Sequence, residues 1–395
     1  MQSSHFRHYV LALSHRHGSL VLIQTLVALA NTLANSFALI YLIREGHEYI
    51  ECAIFILISA LVPTVLIAFA SRPIVANFTA SMATALMCLA GYYVALMFLS
   101  GWPLVLLPPL LFGTYIATFW VPYFALVMHI TSSKKRAAGL GVYFLIWPLL
   151  TTVSPLLGGV IITYFSYQLL FAAGAAVALV GLVFIVGLKT LKDIRSRVII
   201  PELIQSLKLN LVGKMSVDLD LKNVDWRLSS ALFAEGVQDG IFWVAVPIIS
   251  FEFARNEATL SGFLSLFALW GAMMTVALGY LSDRLKNRVA IVRLGAASGA
   301  VAVMIAASST GVEEYLSAMS MAYLCIAMIP SFLFTMLVDK LEKYKKKGVL
   351  LRELFLNAGK SAGVALVIIA LLLGLNLFST FAIAAVALAY IIVVR

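Results

Sequence analysis

Residues 167–188 read YQLLFAAGAAVALVGLVFIVGL, an unbroken apolar run without one charged side chain. At about 1.5 Å of rise per residue, such a run crosses the ~30 Å hydrocarbon core of a bilayer as a helix. It is continuous rather than alternating, which excludes a strand of a membrane β-barrel. Eleven more stretches pass the same test, at 19–43, 51–70, 74–99, 102–129, 138–164, 228–254, 258–281, 289–309, 314–338, 349–374 and 377–394. A chain that is 62% hydrophobic and 12% charged, with a mean hydropathy of +1.01, holds more apolar surface than one water-soluble core can hide. The sequence therefore predicts an all-α polytopic membrane protein with 12 transmembrane helices.

The basic residues give that protein an orientation. Of the 28 Lys and Arg residues, Arg44 and Arg255 fall on one side, Lys360 lies within a span, and all others fall on the opposite side or at its edge. Under the positive-inside rule the basic side is cytoplasmic. Both termini are then inside, and Glu45, Glu48, Glu51, Glu313 and Glu314 face out with the short loops near Gly101 and Ser166. The net charge of +10 reads as a topology signal and not as a nucleic-acid surface. The expected location is the plasma (cytoplasmic) membrane. Residues 1–18 carry His5, His8, His15 and His17 but lack a cleavage pattern, so the first span reads as an uncleaved anchor. Those histidines form a metal-binding tail or a solvated arm, and the arm is the simpler reading. Cys52, Cys88 and Cys325 sit in separate spans with no ligand spacing, so neither a disulfide framework nor a metal site is expected.

One long connection separates six spans from six. It divides the chain into residues 1–188, a cytoplasmic linker at 189–227 and residues 228–395. Within the linker, apolar and polar residues alternate around Val212-Gly213-Lys214, which suits either a small β-hairpin or an irregular or partly helical segment. The first span contains Ala30-Asn31-Thr32-Leu33-Ala34-Asn35, the seventh Ala234-Glu235-Gly236-Val237-Gln238-Asp239. Polar residues at i and i+4 thus share one helix face at the same stage of each half.

After the eighth span the chain reads Gly279-Tyr280-Leu281-Ser282-Asp283-Arg284-Leu285-Lys286-Asn287-Arg288. This resembles the G-x-L-x-D-R-x-x-x-R turn of the major facilitator superfamily. The equivalent first-half turn, Ala70-Ser71-Arg72-Pro73, lacks its Gly and Asp. In the fifth span, Ser154-Pro155-Leu156-Leu157-Gly158-Gly159 is similar to the family's G-P-x-x-G-G element, with Ser for the first Gly. The resemblance implies two pseudo-symmetric six-helix bundles and a secondary transporter. It also implies a gate in which Asp283 pairs across the halves with Arg136, supported by Gly279, Arg284 and Arg288. The alternative for that turn is a solvated basic loop. In the helix 5 element, Pro155 frees a backbone carbonyl while Gly158 and Gly159 admit a close neighbour, making a hinge or a tight contact.

Charges inside the spans are the candidate site. Counted from Leu228, Glu235 lies about 10 Å and Asp239 about 16 Å along the helix, which puts Asp239 near the midplane. An ionised group there costs roughly 2.5–3.5 kcal/mol or more, so it is expected to face a cavity, a cation or a proton. Lys360 lies about 12 Å beyond Arg352, taken as the interface residue. It either pairs with Asp239 or Glu235, meets an anionic substrate, or snorkels to the surface. Asn31, Asn35, Tyr115, Trp120, Tyr123, Gln238, Trp243 and Trp270 are the candidate lining of a substrate cavity, offering rings with polar tips and buried amides.

The sequence thus points to a transporter of a small organic solute, exporting it in exchange for protons and acting as a monomer in lipid. Proton-coupled uptake of a sugar or organic acid is the rival, although Gly187-Leu188-Lys189-Thr190-Leu191-Lys192 lacks the sugar-porter P-E-S-P-R signature. An intramembrane enzyme or a non-transporting scaffold are the other classes. His47 and His129 have no paired nucleophile motif, no P-loop is present, and no cofactor is expected.

Overall fold

A computed structural model describes residues 15–130, 136–187, 225–281, 288–340 and 345–393. The described chain forms twelve membrane-type helices. Helix α1 runs His15–Ala34, tightens into a 3-10 turn at Asn35–Phe37 and resumes as Ala38–Arg44. Then follow α2 (Tyr49–Ala76), α3 (Phe78–Phe98), α4 (Gly101–Ile130), α5 (Arg136–Tyr164) and α6 (Tyr167–Gly187). The second set is α7 (Trp226–Ala254), α8 (Glu257–Leu281), α9 (Arg288–Ala307), α10 (Val312–Ile326, resuming as Ile329–Lys340), α11 (Lys345–Leu372) and α12 (Leu377–Ile391). Eleven are long and apolar enough to span a bilayer, and α12 is a shorter apolar helix of 15 residues. Large side chains on outer faces, such as Phe69, Phe98 and Val183, are more than two-thirds exposed, which suits lipid and not water.

Local chemistry sets the breaks. Pro330 has no N–H to offer the Ile326 carbonyl, and α10 breaks between Ile326 and Ile329. The Asp225 carboxylate caps α7 by accepting from the backbone of Arg227 and Leu228 at 3.1 and 3.2 Å. Glu48 and Glu51 form a capping box at the start of α2. One sequence expectation is corrected here: Ala70-Ser71-Arg72-Pro73 is not the turn between the second and third spans. Ala70 carries a kink (φ −128°, ψ 27°) three residues before Pro73, but the helix continues to Ala76. The chain turns at Asn77, which caps α3 through a bond from the Ala80 backbone N–H at 3.2 Å. A proline bends a helix whose neighbours still hold it, whereas Asn77 stops it by competing for the next backbone donors.

Packing repeats with a shift of six helices. In the first set α1 packs on α5 and α6, α2 on α4, and α3 on α4 and α6. In the second, α7 packs on α11 and α12, α8 on α10, and α9 on α10 and α12. The halves meet through α5 on α8 and α2 on α11, again related by the same shift. Residues 207–222, for which a hairpin is one of the sequence alternatives, and His5 and His8 lie outside the described residues.

Candidate functional site

The closest helix crossing in the second half builds the charge cluster. Gly236 and Gly240 on α7 face Gly359 and Gly363 on α11. A Cβ at Gly236 would strike the Leu356 carbonyl, at Gly240 the Lys360 carbonyl, at Gly359 the Phe233 carbonyl and at Gly363 the Val237 carbonyl. Only glycine allows this backbone contact. It brings Lys360 of α11 beside the acidic face of α7, where its Nζ donates to Asp239 Oδ2 at 2.9 Å. The same ammonium sits over the Trp243 ring, 4.1 Å from its centroid. Lys360 therefore pairs inward, as one of the sequence alternatives had it, and does not snorkel.

Glu235 is one turn away and within electrostatic reach of Lys360, Asp239, Arg352 and Glu353. Its Oε2 is buried without a hydrogen-bond partner. The residue is 6% exposed, whereas the Asp239 side chain is 37% exposed. The order of burial is thus the reverse of the axial depths, because position along a helix does not fix the direction a side chain faces.

Sequence reasoning missed two members of this cluster. Arg352, taken as the interface marker, is buried. Its Nη1 donates to the Glu353 carboxylate, and its guanidinium lies 5.3 Å from the Phe124 ring of α4 and 5.0 Å from the Phe334 ring of α10. Glu353 is buried as well, and its backbone carbonyl accepts from Asn357 Nδ2 at 2.7 Å. The reason is the start of α11: it begins at Lys345, so Arg352 and Glu353 sit two turns inside the helix. The readable signal was the adjacent Arg-Glu pair, self-neutralising within an apolar run.

The candidate cavity residues divide into two groups. Tyr115 and Tyr123 are fully buried in a ladder through Phe119 on α4, with centroid separations of 6.0 and 5.4 Å. The Tyr123 hydroxyl donates to Gln24 Oε1 at 2.7 Å, so that tyrosine packs the first half internally, whereas the Tyr115 hydroxyl is buried without a hydrogen-bond partner. Asn35 Oδ1 accepts from Tyr92 at 2.6 Å, where α1 tightens. Asn31 and Gln238 are buried, and Asn31 Oδ1 has no partner. Trp120, Trp243 and Trp270 are half-buried; Trp120 meets Trp147 edge-on at 5.3 Å, and Phe112 of α4 approaches Trp243 at 6.4 Å. Trp243 reaches the charge cluster through its contact with Lys360.

At one end of the bundle, polar contacts join the halves. Arg44 Nε donates to Glu257 Oε1 at 2.8 Å, and the Tyr167 hydroxyl reaches the same oxygen at 3.0 Å. The Tyr49 hydroxyl donates to Glu252 Oε1 at 2.7 Å, and Arg44 lies over Phe251 at 5.0 Å.

The sequence matches the model of the Major Facilitator Superfamily over residues 20–346. The chain belongs to the major facilitator superfamily. It is a membrane transporter and not an enzyme. The crystal structure of the human organic anion transporter MFSD10 (TETRAN) superposes with a TM-score of 0.62 at 15% identity, covering 95% of this chain and 98% of that one. At that identity the likeness carries the fold. No curated protein matches the sequence.

The superfamily elements read from the sequence can now be placed. In the helix 5 element, Gly158 packs against α1, where a Cβ would lie 2.5 Å from the Leu33 carbonyl and 2.7 Å from the Phe37 ring. Gly159 faces the other way, and a Cβ there would strike the Ser261 side chain of α8. Pro155 is buried inside the continuous helix α5. This geometry is the tight-contact alternative. In the gate motif, Gly279 lies in the last turns of α8, Arg136 opens α5, and Arg288 opens α9 half-buried. Asp283 and Arg284 lie outside the described residues.

Proposed function

We propose that this transporter is secondary active, moving a small organic solute by alternating access and exporting it in exchange for protons. The observation that carries the reading is the Lys360–Asp239 pair beside the unpartnered Glu235 carboxyl, on helices locked together by glycine. The described cluster holds three carboxyl groups (Glu235, Asp239, Glu353) against two cations (Lys360, Arg352). One extra positive charge balances it, and a proton on Glu235 is the smallest way to supply it. Asp239 and Lys360 form the switch beside that proton, and Trp243, Trp120, Trp270, Asn31, Asn35 and Gln238 form the surrounding solute path.

The division into residues 1–188, 189–227 and 228–395 is part of this reading, as is an orientation with both termini and the linker inside the plasma membrane. The Arg44–Glu257 end is then outer, and the structure is a state closed to the outside. The Gly279–Arg288 turn and Arg136 would supply the opposing cytoplasmic gate, on the strength of the motif. Cysteine labelling that reaches residues 189–227 from outside the cell would reverse the orientation.

The test of coupling is accumulation in proteoliposomes driven by a pH gradient. Glu235→Gln keeps the shape and loses the titration, so it should abolish pH-driven accumulation while solute exchange between the two sides persists. Asp239→Asn should impair both. Full pH-driven accumulation by Glu235→Gln would remove proton coupling through this cluster.

A further inference from the structure

The surroundings of the Lys360 ammonium describe a ligand. It touches a carboxylate at 2.9 Å on one side and an indole face at 4.1 Å on the other, which is the chemistry that recognises an organic ammonium. Both receiving groups remain approachable: the Asp239 side chain is 37% exposed and Trp243 is half-buried, while the Lys360 side chain is 11% exposed. The lysine fills this box from behind, tethered to α11. One turn along α7, Glu235 Oε2 is buried without a hydrogen-bond partner and lies within electrostatic reach of Lys360. Glu235 thus offers the ammonium a second carboxyl group.

We propose that the solute carries a single organic ammonium group, which binds between Asp239 and the Trp243 ring in the place Lys360 occupies here, while Lys360 swings to Glu235. The inference rests on the transporter reading above and deepens it by naming the class of solute. The charge balance makes it specific. With Glu235 protonated the cluster of three carboxyl groups and two cations is neutral. Entry of one monovalent cation then requires loss of the Glu235 proton to water, and departure of the cation requires its return. Exchange is one proton per cation and electroneutral. Among the described residues, the groups that act electrostatically on Glu235 and Asp239 are Arg352, Glu353 and Lys360 from α11 and Tyr323 from α10. Helices α1, α4, α8 and α12 carry no charge between their ends, and α2 carries only Glu51 and Arg72 near its two ends, so none of these corrects the count.

The purified full-length protein in lipid nanodiscs tests this without any pH gradient. Calorimetric titration with benzyltrimethylammonium is compared with phenylacetate, an aromatic anion of similar size. The wild type should bind the cation and not the anion. Lys360→Gln removes the tethered competitor and should tighten cation binding by about tenfold, the opposite of what an anion site would do. Trp243→Ala should weaken it by about tenfold and Trp243→Phe by less, since both rings present a π face. Asp239→Asn should abolish it while Asp239→Glu retains part, which separates lost recognition from lost folding. Binding in weakly buffered solution should release protons in the wild type and none in Glu235→Gln. Tighter cation binding by Lys360→Gln together with no proton release from the wild type would keep the ammonium site and defeat the coupling. Tighter binding of phenylacetate, failure of the wild type to bind the cation, or weaker cation binding by Lys360→Gln would overturn the proposal.

Discussion

Arg44 at the end of α1 and Glu257 at the start of α8 are 213 residues apart in sequence and joined by a 2.8 Å bond from Nε to Oε1. The Arg44 side chain is 49% exposed, so the pair alone contributes little, about 0.2–1 kcal/mol. Its weight comes from sharing. Tyr167 donates to the same carboxylate, and Tyr49 bonds Glu252 nearby, so five residues, from three helices of the first half and two of the second, are tied at one end.

These contacts exist only while that end is closed, so breaking them should favour the opposite state. Glu257→Gln combined with Tyr49→Phe should open the end, shifting the population by roughly two- to tenfold for a loss of about 0.5–1.4 kcal/mol. Spin-label distances between the ends of α1 and α8 should lengthen in the double variant. Raising the salt concentration should do the same to the wild type and little to the variant. Unchanged distances would make the network ornamental.

Gly159 gives the second prediction. A methyl at this position of α5 runs into the Ser261 side chain of α8, at the principal contact between the halves. Gly159→Ala should therefore slow transport and destabilise this closed state by about 1–3 kcal/mol, the usual cost of overpacking. Ser261→Gly in the same chain vacates the space and should restore most of the rate. Rates that fall equally with and without the serine change would exclude this contact as the cause.

Much of this architecture was legible because the bilayer demands it. The run 167–188 has to span as a helix, and α6 follows it as Tyr167–Gly187. Pairing of Lys360 with α7 was legible as one alternative, since a buried ammonium and a buried carboxylate at similar depth need one another. Facing was not legible. Glu235 and Asp239 differ by one turn along α7, yet one is sealed and the other half-open, and only the glycine crossing with α11 decides which. Tyr115 and Tyr123 looked like cavity lining from their residue types, but rings at i, i+4 and i+8 stack on themselves as readily as on a solute. Arg352 misled for a related reason. A charge near a span end reads as the water boundary until its partner, here the adjacent Glu353, is known.

The glycine crossing yields a third prediction. Alanine at Gly240 or Gly359 would press a methyl into the backbone of the facing helix, where no rotamer change can relieve it. Each substitution should lower the thermal stability of the detergent-solubilised protein by about 1–3 kcal/mol or more. It should also part Lys360 from Asp239, impairing transport beyond the loss of folded protein. Alanine at Gly262, where a Cβ meets nothing within 4 Å, is the matched control and should leave the melting temperature within about a degree or two, as for a substitution that strikes no neighbour.

The Arg352–Glu353 pair separates stability from mechanism by a double-mutant cycle. Both side chains are nine-tenths buried or more, and Arg352 lies between Phe124 of α4 and Phe334 of α10, so its guanidinium touches both halves. Removing one partner leaves an unbalanced charge in the bundle, and Glu353→Gln should cost about 3–5 kcal/mol. Replacing both by Met should return most of that stability, because two uncharged chains of similar length need no pairing. Transport should respond differently. If Arg352 also helps join the halves through Phe124, the double variant should fold well and still turn over slowly, and Arg352→Lys with Glu353 intact should recover stability more fully than rate, since ammonium lacks the flat face that covers two rings. Unfolding curves and proteoliposome uptake on the same four preparations give both readings. A double variant that is stable and transports at the wild-type rate would reduce the pair to a structural filler and leave the coupling to Glu235, Asp239 and Lys360.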